Sequence, residues 1–156
     1  MTALKVFECD FSDPDHCEAL ADLMNAYKTD RMGGGNPYSL EQRLKLIEGL
    51  KNHPSKLVLF VATGEKIIGL TNCFINFATF SLKPFINIHD VIVLHEFRGS
   101  GAGRKLIEGV IEYAGRIDCS KITLEVREDN VPAQNLYKSL DFKECEPVHY
   151  FWTKYL

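Results

Sequence analysis

Three glycines alternate within five positions of VLHEFRGSGAGRKL, where an apolar run meets Arg98 and then Gly99, Gly101 and Gly103 before a periodic helical segment. Closely spaced glycines let a ligand approach the backbone, and a helix N-terminus offers unpaired N–H groups with a favourable dipole. Arg98 adds a charge-assisted donor. Residues of these types at this spacing suit a phosphate or pyrophosphate. A Walker A loop is excluded, because it ends in Gly-Lys-Ser/Thr and here Gly103 is followed by Arg104, Lys105 and Leu106. A dinucleotide fingerprint fits poorly too. It needs GxGxxG in an early βαβ unit, whereas this is GxGxG, past the middle of the chain and after strands expected to be antiparallel.

The elements that must position this turn follow from hydrophobic period and punctuation. Residues 3–9 read as a short strand, and Asp13 with Pro14 as the N-cap and first position of a helix carrying Cys17, Leu20, Ala21, Met24 and Tyr27 on one face. DRMGGGNP, residues 30–37, is irregular and is expected to be the most flexible stretch. Ser39 and Gln42 form a capping box for a second helix, with Leu40, Leu44, Ile47 and Leu50 as its buried stripe. Residues 56–63, 66–79 and 85–94 read as three strands of a meander. The helix after the glycines buries Ala102, Leu106, Ile107, Val110, Ile111 and Ala114. Residues 121–126 form a strand, Asn130 caps a short helix, and residues 142–146 and 148–155 form two closing strands. The order is β-α-α-β-β-β-α-β-α-β-β, with no repeat or linker. It reads as one domain over residues 1–156, of the α/β (α+β) class, with a mixed, mostly antiparallel twisted sheet flanked by helices.

Arg-x-x-Gly-x-Gly in IHDVIVLHEFRGSGAG, together with NVPAQNLYKSLDF one helix and one strand later, resembles the GNAT superfamily of acetyl-coenzyme A dependent N-acetyltransferases. The likeness covers roughly residues 56–146. It implies acetyl-CoA as co-substrate and no metal. It places Arg98, Gly99, Ser100, Gly101, Ala102 and Gly103 on the coenzyme pyrophosphate, and Val91, Ile92 and Val93 along the pantetheine arm. Asn130 matches a position that contacts the coenzyme. Tyr137 matches the general acid that protonates the departing thiolate, a step suited to a phenol with pKa about 10 facing a thiol near 8.5. One departure is Asp141, which stands where the family carries glycine ahead of Phe142.

The attacking amine must lose a proton, since an alkylammonium with pKa around 10.4 is neutral in only about one molecule in a few thousand at pH 7. The resemblance puts His89 and Asp90 near the acceptor. Neighbours in a regular strand point to opposite faces, so only one of them is expected to face the substrate, and the sequence leaves open which. The first interhelical loop, with Asp30 and Arg31, and the meander, with Asn72, Phe74, Asn76, Phe77, Phe80 and Phe85, would shape the acceptor cleft. Their character is closer to the small-molecule branch of the family, so the expected acceptor is a primary amine on a small molecule. A protein lysine or N-terminal acetyltransferase and a non-catalytic acyl-CoA binding domain are the alternatives. Family members often dimerise, which extends a homodimer to this chain.

Composition sets the outer limits. The chain has 156 residues, 46% of them hydrophobic and 25% charged, enough for a single core and against disorder. A net charge of −3 gives no general attraction for nucleic acid or an anionic membrane, and neither is expected as a partner. Cys9, Cys17, Cys73, Cys119 and Cys145 are odd in number and lack metal spacing; they read as buried thiols of a reduced compartment. Without a leader-like start or a long apolar run, a soluble cytoplasmic protein is expected.

Overall fold

A computed structural model describes residues 3–156. The described residues form two compact units, 3–125 and 126–156. The first holds β1 (Leu4–Glu8), α1 (Pro14–Thr29), α2 (Leu40–Asn52), β2 (Lys56–Thr63), β3 (Lys66–Ala78), β4 (Lys83–Val93), α3 (Ala102–Arg116) and β5 (Ile122–Leu124), with a 3-10 turn at His95–Phe97. The second holds α4 (Val131–Lys138).

The five strands lie in sequence order. β1 to β4 pair antiparallel, whereas β5 runs parallel to β4. Side-chain alternation divides the core between two faces. On one, Phe7, Phe60, Leu70 and Ile92 pack with Leu20, Leu23 and Met24 of α1 and Leu50 of α2. On the other lies α3, where an added Cβ at Gly109 would fall 2.8 Å from Val6 and 3.4 Å from Leu59.

The local signals explain the helices. Asp13 caps α1 by accepting from the Asp15 amide at 2.9 Å. Ser39 and Gln42 close a reciprocal capping box on α2. The buried stripe of α2 differs from the expected one: Leu40 and Leu44 are exposed, and Leu46, Ile47 and Leu50 face the core. The strip that meets the sheet belongs to the last two turns, so apolar residues in the first turn have nothing to cover them. In α3 the expected face is buried except for Ile111 at its margin.

The two closing strands, 142–146 and 148–155, do not form. A strand is stabilised by a ladder partner, and a lone pair of strands is marginal in water. The second unit supplies only α4, and Val148, Tyr150, Phe151, Trp152 and Tyr155 are exposed. Residues 30–37 are more organised than their composition suggests. The amides of Gly33 and Gly34 donate to the Asp30 carbonyl, that of Gly35 to the Lys28 carbonyl, and that of Tyr38 to Asn25 Oδ1.

The five cysteines are free thiols; Cys9 and Cys73 are buried as expected, Cys17 and Cys119 are half-buried, and Cys145 is exposed. Among the described residues no helix is long and apolar enough to cross a membrane.

Candidate active site

β4 is the element on which the site is built. Its ladder to β3 continues to Val93, but its ladder to β5 stops at Ile88 and Leu124. From His89 to Val93, therefore, one edge of β4 has no strand beside it among the described residues. Leu94 donates its amide to the Ile68 carbonyl at 2.9 Å. Antiparallel alternation then turns Ile92 toward β3 as well and aims the N–H groups of Val91 and Val93 at the open edge. Of the three residues expected along the pantetheine arm, Val91 and Val93 thus present backbone there, while Ile92 is bonded back into the sheet and its side chain is buried.

The strand ends in the glycine turn. Gly99 and Gly101 have φ of 79° and 89°, a left-handed backbone that glycine adopts without a Cβ penalty. Gly101 is the N-cap of α3 and supplies no side-chain cap. The first helix-closing bond runs from the Lys105 amide to the Gly101 carbonyl at 3.0 Å, which leaves the amides of Ala102 and Gly103 outside the helix ladder. Ser100 is turned inward, its amide and hydroxyl both donating to the Phe97 carbonyl. The first turn of α3 holds no acidic residue but carries Arg104 and Lys105, the reverse of what the helix dipole favours. Glu108 offsets this, at 3.7 Å from Arg104 and 3.0 Å from Lys105.

The Arg98 side chain turns back into the protein. Its Nη2 donates to Asp30 Oδ2 at 2.8 Å and its Nε to the Val93 carbonyl at 3.2 Å. The Met32 amide and the Arg98 guanidinium hold the Asp30 carboxyl below the usual carboxylate range. As built, the loop presents backbone at the start of α3, and Arg98 secures it to the end of α1.

His89 and Asp90 are not on opposite faces. The β3–β4 register shifts so that Asn72 opposes Asp90 while Cys73 opposes Ile88, making His89 the extra residue of a β-bulge. The His89 ring lies 5.5 Å from that of Phe74, and Asp90 Oδ2 accepts from Asn72 Nδ2 at 3.0 Å. Asn72 and Phe74 are two apart on β3 and share a face, so both candidates lie on it, the face covered by α1. His89 is exposed and Asp90 half-buried. A bulge has no composition signature in INIHDVIV, and strict alternation therefore misassigned the pair. Asn72, expected with the acceptor cleft, is buried in the apolar run IIGLTNCF and bonded to Asp90, a contact that the sequence alone does not foretell.

In the second unit, Asn130 caps α4, its Oδ1 accepting from the Ala133 amide at 3.3 Å. Tyr137 is 8% exposed, its ring 5.9 Å from that of Phe142. Asp141 adopts the left-handed backbone that glycine would provide, with φ 65°, and the Phe142 amide reaches back to the Tyr137 carbonyl at 3.1 Å. Among the described residues no group of three or more His, Cys, Asp or Glu side chains could hold a metal ion.

Comparison with known proteins agrees with this frame. The chain is 30% identical over 133 residues to an uncharacterised N-acetyltransferase, YhfO, of Bacillus subtilis (strain 168), covering 85% of this chain and 87% of that one. It is 34% identical over 91 residues to the thialysine N-ε-acetyltransferase of Bos taurus, covering 56% of this chain and 53% of that one. An aminoglycoside acetyltransferase from an uncultured soil metagenomic sample, crystallised with sisomicin, shares the fold with a TM-score of 0.78 at 20% identity, over 97% of both chains. The sequence profile of the acetyltransferase (GNAT) family matches residues 18–142, and the chain belongs to that family.

Proposed function

We propose that this protein transfers the acetyl group of acetyl-CoA to a primary amine of a small molecule by direct attack in a ternary complex, residues 1–156 acting as one acetyltransferase domain. The observation that carries this reading is β4 itself, whose open edge leads through the 3-10 turn at His95–Phe97 into the Gly99–Gly103 turn. An extended arm ending in a pyrophosphate would pair with Val91 and Val93 and place its phosphates on the loop from Arg98 to Gly103. The amine nitrogen attacks the thioester carbonyl, the C–N bond forms and the C–S bond breaks. An N–H beside the carbonyl oxygen steadies the developing charge. Asp90 takes the ammonium proton, and the exposed His89 beside it passes that proton to water. Tyr137 returns a proton to the coenzyme thiolate and is restored by the second proton that the nitrogen sheds as the amide forms, and Asn130 orders the turn at its side of the coenzyme.

A small amine acceptor is supported by the names of two similar proteins, one acting on thialysine and one on aminoglycosides. The test is calorimetric titration with acetyl-CoA, then thiol release with thialysine, sisomicin, lysine and spermidine. Binding with turnover of one of these supports the reading. Binding with turnover only of peptide lysines or N-termini would transfer the activity to protein substrates, and absence of acetyl-CoA binding would refute the coenzyme site.

A further inference from the structure

The core contains two buried polar side chains among the described residues, Thr71 at 0% and Asn72 at 2% exposure. Both bond to the same residue. Thr71 Oγ1 donates to the Asp90 carbonyl at 2.9 Å, and Asn72 Nδ2 donates to the Asp90 carboxylate at 3.0 Å. A carboxamide in an apolar core costs free energy unless both of its ends are hydrogen-bonded. Asn72 satisfies only one: its Nδ2 also touches Met24 Sδ at 3.2 Å, while its Oδ1 is buried without a partner.

The orphaned oxygen explains the orientation of the amide. The flipped amide would set Oδ1 against a carboxylate oxygen, so Asp90 decides which way the group points. The sheet has no need of it, since the ladder at this position is made by backbone and a leucine has the same number and branching of side-chain heavy atoms. Asp90 opposes Asn72 in the register that runs unbroken from Gly69 and Val93, and the bulge adds His89 to the same face.

We infer that Asn72 is a positioning residue. It fixes Oδ2 of Asp90, and Thr71 fixes the backbone of the same residue, so that Oδ1 meets the acceptor's ammonium in one orientation. This rests on the reading of Asp90 as the proton acceptor.

The experiment compares the unaltered protein with Asn72→Leu, Asp90→Ala and the double variant. Its probes are acetyl-CoA and whichever amine of the panel above is turned over fastest. Asn72→Leu is expected to keep its thermal midpoint and acetyl-CoA affinity while kcat falls about 10- to 100-fold, part of the 10²–10⁴ that a general base supplies. The double variant is expected to be no slower than Asp90→Ala alone, because the two residues act as a unit. A merely structural Asn72 would give additive losses, and that result overturns the proposal. Should leucine not be accommodated, Asn72→Ser, which is too short to reach the carboxylate, serves the same cycle. Full activity in Asp90→Ala would remove Asp90 as base and the role of Asn72 with it. An impaired Asp90→Ala beside a fully active Asn72→Leu would overturn the positioning role alone.

Discussion

Arg98 and Asp30, 68 positions apart in sequence, meet at 2.8 Å and join the glycine turn to the end of α1. The contact is partly solvated, Arg98 being 44% and Asp30 19% exposed, so its free energy is of the order of a surface ion pair, under about 1 kcal/mol. Asp30 is held below the ordinary carboxylate range by the Met32 amide first and by Arg98 second. A lowered folded-state pKa gives stability that is present above the unfolded carboxylate range and is lost as pH falls through the folded value. Asp30→Asn should therefore lower the thermal midpoint at pH 7 and make little difference near pH 2. An equal deficit at both pH values would mean that charge is not what the pair contributes.

Tyr137→Phe removes one oxygen from a side chain whose ring is packed on Phe142. The fold should survive and acetyl-CoA affinity should change less than about twofold. Turnover should fall by about 10²-fold or more, within the range of general acid catalysis. Single-turnover measurements decide the matter. Equal rates for the chemical step in the two proteins would remove Tyr137 from the mechanism.

At Gly101 an added Cβ meets nothing within 4 Å, but φ of 89° strains any L residue. Asn and Asp tolerate this backbone about equally, so comparing Gly101→Asn with Gly101→Asp separates charge from strain. Like charges about 4 Å apart near a protein surface repel by about 4 kcal/mol, close to a thousandfold in affinity. Calorimetry should show acetyl-CoA binding weakened modestly by Asn and abolished by Asp. Equal affinities for the two variants would mean that no phosphate lies against this turn.

The parts of the fold that were legible in the sequence are those with a local cause. Asp13–Pro14, the Ser39–Gln42 box and Asn130 each mark a helix start through a bond closed within three residues. The glycine turn could be read for the same reason, since its φ values and its place before α3 are local properties. What depended on partners could not be read. The aromatic-rich composition of 148–155 suits a strand, but only a neighbouring ladder makes it one. The bulge at His89 depends on the register with β3, and the Asn72–Asp90 bond on a pairing 18 residues apart.

The cysteines give a pH test of the core. Burial pushes the Cys9 and Cys73 thiols up to about 12. In the unfolded chain they would ionise near 8.5. A raised folded-state pKa gives stability that is complete below the unfolded value and declines as pH climbs toward the folded one. The urea midpoint should therefore fall between pH 8 and pH 11, with Cys73 alone worth up to about 1.4 kcal/mol per pH unit over that span. At pH 8 a disulfide reagent should label the exposed Cys145 quickly and reach Cys9 and Cys73 only on unfolding. Cys73→Ala and Cys9→Ala together should flatten the alkaline decline. A decline of undiminished slope in that variant would assign it to other groups.

Two glycines in different surroundings should respond to alanine with opposite signs. Gly49 lies in α2 with nothing within 4 Å of an added Cβ, so Gly49→Ala gains helix propensity and should raise stability by about 1 kcal/mol. At Gly69 a Cβ would lie 2.6 Å from the Ile92 carbonyl oxygen, with Val61 and Val93 at 3.1 and 3.2 Å. The nearest obstacle is backbone, so β4 must move, and Gly69→Ala should cost about 1–3 kcal/mol. Gly69 opposes Val93 in the ladder, so the displaced segment is the one proposed to pair with the coenzyme arm. Gly69→Ala should therefore weaken acetyl-CoA binding in protein that remains folded, and Gly49→Ala should leave it unchanged. Urea unfolding and calorimetry on the two variants measure both effects. A destabilised Gly69→Ala that binds acetyl-CoA normally would separate the packing of β4 from the coenzyme site and place the arm elsewhere.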